Sequence, residues 1–328
     1  MFHESHPMQW THWVAIDPTE RLLAAEGVLP LYVERHLLNK NRDLAKAVME
    51  CPEVKGYFQG QCADGSWNPA KGRLLDHHAR LVISFKNFRR LVHHYELERQ
   101  VPEVAKAAEF ILSTQTEEGD LRGMIGGQYA TYYTGEMLSL LIQAGYAEDD
   151  RVERGMQWLL GMRQYDGGWS IPVLTRGLSG KEISRLTAGD SDPLSPDRGR
   201  PFSHNWTDMV LRAFAAHPRY RNDPDALRAA ELLKRSFFAP DHYNSYQEPR
   251  YWTRFVGWWP NLLTALEILY RMGYDKNDDD VARGIAWFIG NQADDGLWDL
   301  EEGKPGRPAD REWLAFRICR MLKGFEIR

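Results

Sequence analysis

One small device recurs along this 328-residue chain and limits what it can fold into. An amphipathic stretch ends in a Gln, a Gly follows three or four residues on, often with a Trp behind it, and a more apolar stretch begins. The copies are Gln61, Gly65 and Trp67; Gln115, Gly119 and Leu121; Gln164, Gly167 and Trp169; and Gln292, Gly296 and Trp298. Successive Gln residues are 54, 49 and 128 positions apart, and the last gap has room for a degenerate copy around His242 to Tyr246. A period of this size is that of a two-helix unit. Such a unit cannot bury its own hydrophobic face, so stacked units make a solenoid or a closed ring.

Apolar periodicity predicts helices at about 20–38, 43–58, 74–97, 103–115, 130–145, 150–163, 204–216, 225–238, 252–272, 280–291 and 308–323, with almost no period-two alternation. They fall into two alternating classes. One is amphipathic and ends in the Gln turn: Lys106 with Phe110, Arg154 with Trp158, and Arg283 with Trp287 each place a basic residue and an aromatic four apart on one side. The other is apolar on most sides, as in Tyr133–Tyr146 and Trp206–Phe214, and must be buried on most sides. Five outer and six inner helices around an axis give an all-α, single (α/α)6 toroid. The lack of polar capping helices at the ends favours closure over an open solenoid. Two segments interrupt the rhythm: an N-terminal arm at 1–19, containing His3, His6 and His12, and a Gly/Pro-rich insertion at 170–203 without a helical face. The toroid domain is expected over 20–328.

Composition excludes several classes. A net charge near −5 without a Lys/Arg block gives no nucleic-acid groove. No stretch approaches the roughly 20 apolar residues of a membrane span, and no leader pattern opens the chain. Cys51, Cys62 and Cys319 have unrelated spacings, which predicts buried thiols in a cytoplasmic protein, with no disulfide framework, no bound metal and no cofactor.

Helix and turn together read as basic, small, two residues, aromatic, Leu or Ile, three residues, Gln, Gly and Trp. This resembles the QW repeat of the terpenoid cyclase and protein prenyltransferase superfamily, best at Arg154–Trp169 and Arg283–Trp298, fairly at Lys106–Leu121 and partly at Tyr57–Trp67. With the helix rhythm, the resemblance spans about residues 20–323. It implies an (α/α)6 barrel with a central cavity, and it is specific for the superfamily rather than for an activity. The superfamily's Asp-x-Asp-Asp acid is only superficially matched at Asp275–Asp280 and Glu148–Asp150, where helix caps are expected. Its zinc-binding Asp-x-Cys pair has no counterpart. In physical terms the Gln, Gly and Trp are structural: the Gln bonds groups at a neighbouring helix terminus, the Gly permits a positive-φ reversal and the Trp covers the turn.

Residues opening the inner helices are the candidates for a cavity. Asp76, His77, His78 and Arg80 open one, with room for one imidazole toward the axis. Tyr129, Tyr132 and Glu136 can share a face of the next, and a Glu entering so apolar a stretch as Met137–Leu141 must be hydrogen-bonded or functional. His204 and Asp208, four apart and flanking Trp206, can form a carboxylate–imidazole pair. Trp252, Phe255 and Trp259 fall on one face of the helix expected at 252–272, with Arg254 placed for a cation–π or anion contact. Asp310 adds an acid at the last inner helix.

Three functions are open. In the first, the chain binds or converts an isoprenoid-like or other apolar small molecule, with Glu136 or Asp208 as acid, His204 as partner, and Trp252, Phe255 and Trp259 as the wall; His77, Tyr129, Tyr132, Trp206, Arg254 and Asp310 are further ligand-binding candidates. In the second, the carboxylates act on a carbohydrate. In the third, a non-catalytic concave surface receives a peptide or protein.

Overall fold

The computed structural model describes residues 9–41, 43–68, 75–243 and 248–327. Its regular structure is helical apart from one short strand, β1 (Met124–Gly127). In chain order the helices are α1 (Thr19–Leu23), α2 (Leu29–Tyr32), α3 (Leu44–Met49), α4 (Pro52–Gln59), α5 (His77–Arg89), α6 (Pro102–Leu112) and α7 (Thr131–Leu141). They continue with α8 (Asp150–Gly161), α9 (Gly180–Ala188), α10 (His204–Ala216), α11 (Pro224–Arg235), α12 (Leu262–Arg271), α13 (Asp279–Gly290) and α14 (Pro308–Ile327). The two alternating classes are present. Along α8 only Val152, Gly155, Met156, Trp158 and Leu159 are buried, a single stripe. Along α7 every position is buried except Tyr133, and along α10 every position except Arg212 and Ala216.

The described residues gather into two compact units. One is drawn from Met1–Cys51, Phe237–Ala239 and Glu248–Arg328, the other from Pro52–Ser236 and Pro240–Gln247. In the second, α7 and α10 run side by side in the same direction: Tyr132 stacks near Trp206, Gly135 faces Met209 and Val210, and Glu136 reaches Arg212. A Cβ on Gly135 would come within 2.6 Å of the Val210 Cα, so this close approach requires a glycine. In the first unit α12 packs on α14 through Tyr270 and Phe325 and through the Glu267–Arg317 ion pair at 2.7 Å. There the described part of the N-terminal arm is packed, with Trp10 1% exposed, while His3 and His6 lie outside the described residues.

The Gln turn works as a clasp. Gln61 Nε2 donates to the Gly65 carbonyl at 3.0 Å and to the Glu103 carbonyl in the first turn of α6 at 2.8 Å. Gln115 Nε2 repeats this with Gly119 at 2.9 Å and Arg151, at the start of α8, at 2.7 Å. In the other unit Gln292 Nε2 donates to Gly296 at 2.9 Å and to Ile16 at 2.7 Å. The turn Trp then lies back on its own helix: the indoles of Trp67, Trp169 and Trp298 donate to the carbonyls ten residues earlier, of Tyr57, Leu159 and Phe288. From the apolar helix that follows, a buried hydroxyl takes the backbone N–H behind the glycine: Ser84 from Trp67, Thr134 from Leu121 and Thr207 from Trp169.

Three expectations are corrected. Residues 252–261 are not the start of a long helix: a short 3-10 turn (Pro249–Thr253) is followed by extended chain, and α12 opens only at Leu262 behind its Asn261 cap. Trp252, Phe255 and Trp259 therefore form no helical stripe, because Gly257 at φ +68° and Pro260 break the register. Segment 170–203 is not structureless. It contains a 3-10 turn (Pro172–Arg176) and α9, which a Ser179–Glu182 capping box starts. Gln128 anchors it through Ser191, Asp192 and Leu194, and Gln164 turns its amide to the Asp197 and Arg200 carbonyls. The acidic runs are caps, as expected, but through Asp149 and Asp278 rather than Asp150 and Asp280.

Replacing Trp169 or Trp298 by Ala should lower stability by about 3–5 kcal/mol, the usual range for a large buried aromatic. Gly119→Ala should lower it by at least about 1–3 kcal/mol, since its φ is +111° and a Cβ would meet the Arg154 carbonyl at 2.6 Å. Urea denaturation checks both; losses under about 1 kcal/mol at all three sites would mean that the turns do not hold the repeat together.

Candidate functional site

The second unit carries most of the polar burial. Glu136, one turn into α7, and Asp208, one turn into α10, are 4% and 1% exposed. Both engage Arg212: its Nη1 donates to Glu136 Oε2 at 3.0 Å, and its Nε and Nη2 donate to Asp208 Oδ1 at 3.0 and 2.7 Å. Burial alone would lower the Arg212 pKa, but Asp208 and Glu136 raise it above the ordinary value, so the guanidinium stays charged. Both acids share this one guanidinium, so removing it would disturb both.

The imidazole expected beside Asp208 is elsewhere. His204, the first residue of α10, places Nδ1 3.5 Å from Asp241 Oδ2. Asp241 is held by the Ser203 hydroxyl at 2.7 Å and by the Asn205 and Tyr243 amides. Burial lowers the His204 pKa to about 4, against an opposing pull from Asp241, so the ring is neutral at pH 7. A neutral imidazole cannot compete with a permanent guanidinium for Asp208, which is why the i,i+4 pairing forms to Arg212 instead. Signals for Arg212 were present in the sequence: it is the only Lys or Arg in α10 and lies four after Asp208. Asp241 carries no such pattern, because it lies beyond α11.

Aromatic rings stand next to the acid–guanidinium group. The Tyr132 ring lies 4.7 Å from Trp206 and 4.3 Å from Tyr133, and Phe85 of α5 meets Tyr133 edge-on at 5.6 Å. Burial, then Tyr133, pushes the Tyr132 hydroxyl well above its usual pKa. The less buried positions along α7 and α10 include Tyr133 and Arg212, one ring and one cation.

Other candidates are placed differently. Tyr129 precedes α7 and does not share a face with Glu136; its hydroxyl donates to Glu118 at 2.6 Å, and burial together with Glu118 raises its pKa to about 12. His77 is exposed at the start of α5, 5.9 Å from the Phe110 ring. In the first unit Trp252 is buried against Phe237 and donates to the Ala239 carbonyl at 2.9 Å. Phe255 packs on Trp287 and Phe288, Arg254 faces Glu301 at 3.5 Å, and Trp259 meets Trp258 at 5.7 Å. Asp310 pairs with exposed Arg307 at 2.7 Å.

No three His, Cys, Asp or Glu side chains come together as a metal set among the described residues. Cys319 is fully buried and its thiol is pushed up by desolvation, the opposite of a zinc-binding thiolate. The donor set does not fit the zinc of the prenyltransferases. No described helix is long and apolar enough to cross a membrane.

Comparison with known proteins agrees with the repeat. Residues 72–187, from α5 through most of α9, match the squalene-hopene cyclase C-terminal domain family. The terpenoid cyclase superfamily read from the Gln turns is thus supported by a match of its own. No curated protein matches. Among solved structures, the type II terpene cyclase MstE from Scytonema, in complex with geranylgeranyl dihydroxybenzoate, aligns over 87% of this chain and 97% of its own at 11% identity and a TM-score of 0.33. A protein from Actinoplanes aligns over 86% and 99% at 14% identity and a TM-score of 0.30. No residue is carried across from them.

Two outcomes test the electrostatics. Arg212→Met should cost about 3–5 kcal/mol by leaving two buried carboxylates uncompensated, and adding Glu136→Gln should return part of that loss; a neutral single variant contradicts the arrangement. His204 behaves as a buried base with a depressed pKa. Between pH 6.5 and 4 the unfolded chain protonates it while the folded protein does not, so its contribution to stability falls as pH falls through that window, by on the order of 3 kcal/mol in total. Denaturation midpoints at several pH values should show a slope that His204→Gln removes.

Proposed function

From the premise that this chain is terpenoid-cyclase-like in its repeat, we propose that it binds an isoprenoid-like apolar small molecule, with a polar end directed at Arg212. The observation that carries the reading is the juxtaposition on two parallel helices. At one level Tyr132, Tyr133 and Trp206 form a cluster of rings, of which Tyr133 is the least buried, and one turn further in Glu136 and Asp208 hold Arg212. Aromatic faces suit an unsaturated hydrocarbon, and a fixed guanidinium suits its oxygenated or anionic terminus.

The same geometry favours binding over proton-initiated cyclisation. Both candidate acids are committed to Arg212 rather than standing apart for a substrate.

Calorimetric titration with isoprenoid alcohols and acids of increasing length, against straight-chain alkanols of equal carbon number, tests this. Isoprenoids should bind more tightly than alkanols. Trp206→Leu or Tyr132→Leu should weaken binding by about tenfold or more, equivalent to about 1.4 kcal/mol. Equal affinity for alkanols, or no binding by any member, removes the proposal. Turnover of an isoprenoid that disappears in Glu136→Gln while binding persists would replace it with the catalytic reading.

A further inference from the structure

Residues 176–196 form a loop with a fixed neck and a loosely held body. At the neck the buried Thr175 hydroxyl accepts from the Asp197 amide at 2.8 Å, and Gln164 Nε2 donates to the Asp197 carbonyl at 2.8 Å. On either side of the neck the chain is tied to the heads of α7 and α10. The Thr131 hydroxyl donates to the Ser170 carbonyl at 2.7 Å, and Ser203 caps α10. The body is held differently. In α9 no side chain is buried: Ile183, Leu186 and Thr187 are half-buried and the other positions are exposed apart from these. Its attachment is a seam along β1. The Gly127 amide donates to the Gly189 carbonyl at 3.1 Å, and a Cβ on Gly126 or Gly127 would come within 2.5 Å of the Gly189 or Ser191 carbonyl oxygen, so only glycine lets these backbones meet. One side chain then fastens the seam. Gln128 Nε2 donates to Ser191 Oγ and to the Asp192 carbonyl, both at 2.9 Å, and Gln128 Oε1 accepts from the Leu194 amide at 3.0 Å.

Hydrogen bonds with so little apolar burial beneath them open more readily than packed helices. A Cβ on Gly177, just outside the neck, would meet nothing within 4 Å, which leaves room for a pivot. The latch also stands close to the rings: Gln128 is four residues before Tyr132, whose ring lies 4.7 Å from Trp206. Both of those rings are buried, so a ligand reaches their faces only after part of the chain moves. We propose that residues 176–196 are a cover over the ring cluster of α7 and α10, latched by Gln128, and that the cover swings away from β1 to admit the apolar ligand. This rests on the isoprenoid reading of that site and adds its regulation. With the neck tied at Thr175 and Asp197, the body opens while α7 and α10 stay folded.

Hydrogen exchange read by mass spectrometry on the full chain tests the cover without any ligand. Amides of 180–192 should exchange at least about a hundredfold faster than those of α7 and α10. Gln128→Ala should speed them by about tenfold more, the effect of losing one or two net hydrogen bonds, and leave α7 and α10 unchanged. Ile183→Ser, which loosens the seat of α9 with Gln128 in place, should act in the same direction. Nitration by tetranitromethane, located by peptide mass, reads access to the rings: Tyr132 should be modified faster in both variants than in the native chain. With farnesol as the probe, stopped-flow tryptophan fluorescence should show association and dissociation both faster by about tenfold in the variants, with their ratio little changed. Exchange in 180–192 as slow as in α7, or faster exchange with unchanged Tyr132 nitration and unchanged farnesol rates, overturns the cover. Absence of farnesol binding alongside the expected exchange and nitration removes the isoprenoid reading and supports the cover.

Discussion

Everything else in this structure depends on what one glutamine amide does with its two N–H bonds. In Gln61, Gln115 and Gln292 one N–H goes to the carbonyl of the turn glycine, and the other goes to a carbonyl that begins another segment. A helix carbonyl in the first turn already accepts its i+4 amide, so the glutamine uses the second lone pair. No other side chain serves as well. Glutamate presents acceptors to acceptors, and asparagine lacks the reach. The bond fixes the distance from one outer helix to the next, and so also where the apolar helix between them must lie.

That placement explains how charge comes to be buried on α7 and α10. With Gly135 against Val210, the two helices approach too closely for large side chains between them, and the polar groups flanking the contact lose water as a result. Glu136 and Asp208 remain tolerable because Arg212 serves both. A buried arrangement of this kind contributes little net stability over an apolar replacement, while breaking it is expensive. In helices otherwise committed to packing, the arrangement is thus a poor source of stability.

The repeat, the helix classes and most helix positions could be read from the sequence because they rest on local patterning: period 3.6, Gly at a reversal, Gln at a fixed offset. Glu136 and Asp208 were legible for the same reason, since each is the single acid of its helix. Their partners were less so. Arg212 could have been found from i,i+4 spacing, but the neighbouring His204 competed for the same carboxylate, and only burial decides that a neutral imidazole loses. Asp241, the residue His204 does meet, comes from a connection with no periodicity. The aromatic run 252–259 misled because ring spacing alone imitates a helix face, while Gly257 and Pro260, both visible, forbid the helix.

The Gln164 turn carries the argument one step further. It has the same residues as its siblings, and its Trp169 makes the same ten-residue return bond, yet its amide serves Asp197 and Arg200 instead of the next outer helix. The insertion has taken the carbonyl positions that α11 would otherwise offer. Alongside it Gln128 holds Ser191, Asp192 and Leu194, while α9 has no fully buried side chain. Residues 180–192 are thus held by hydrogen bonds rather than by burial. Each such bond contributes about 0.5–1.5 kcal/mol net, so local opening of this segment demands far less than opening of α7 or α10, where almost every position is packed.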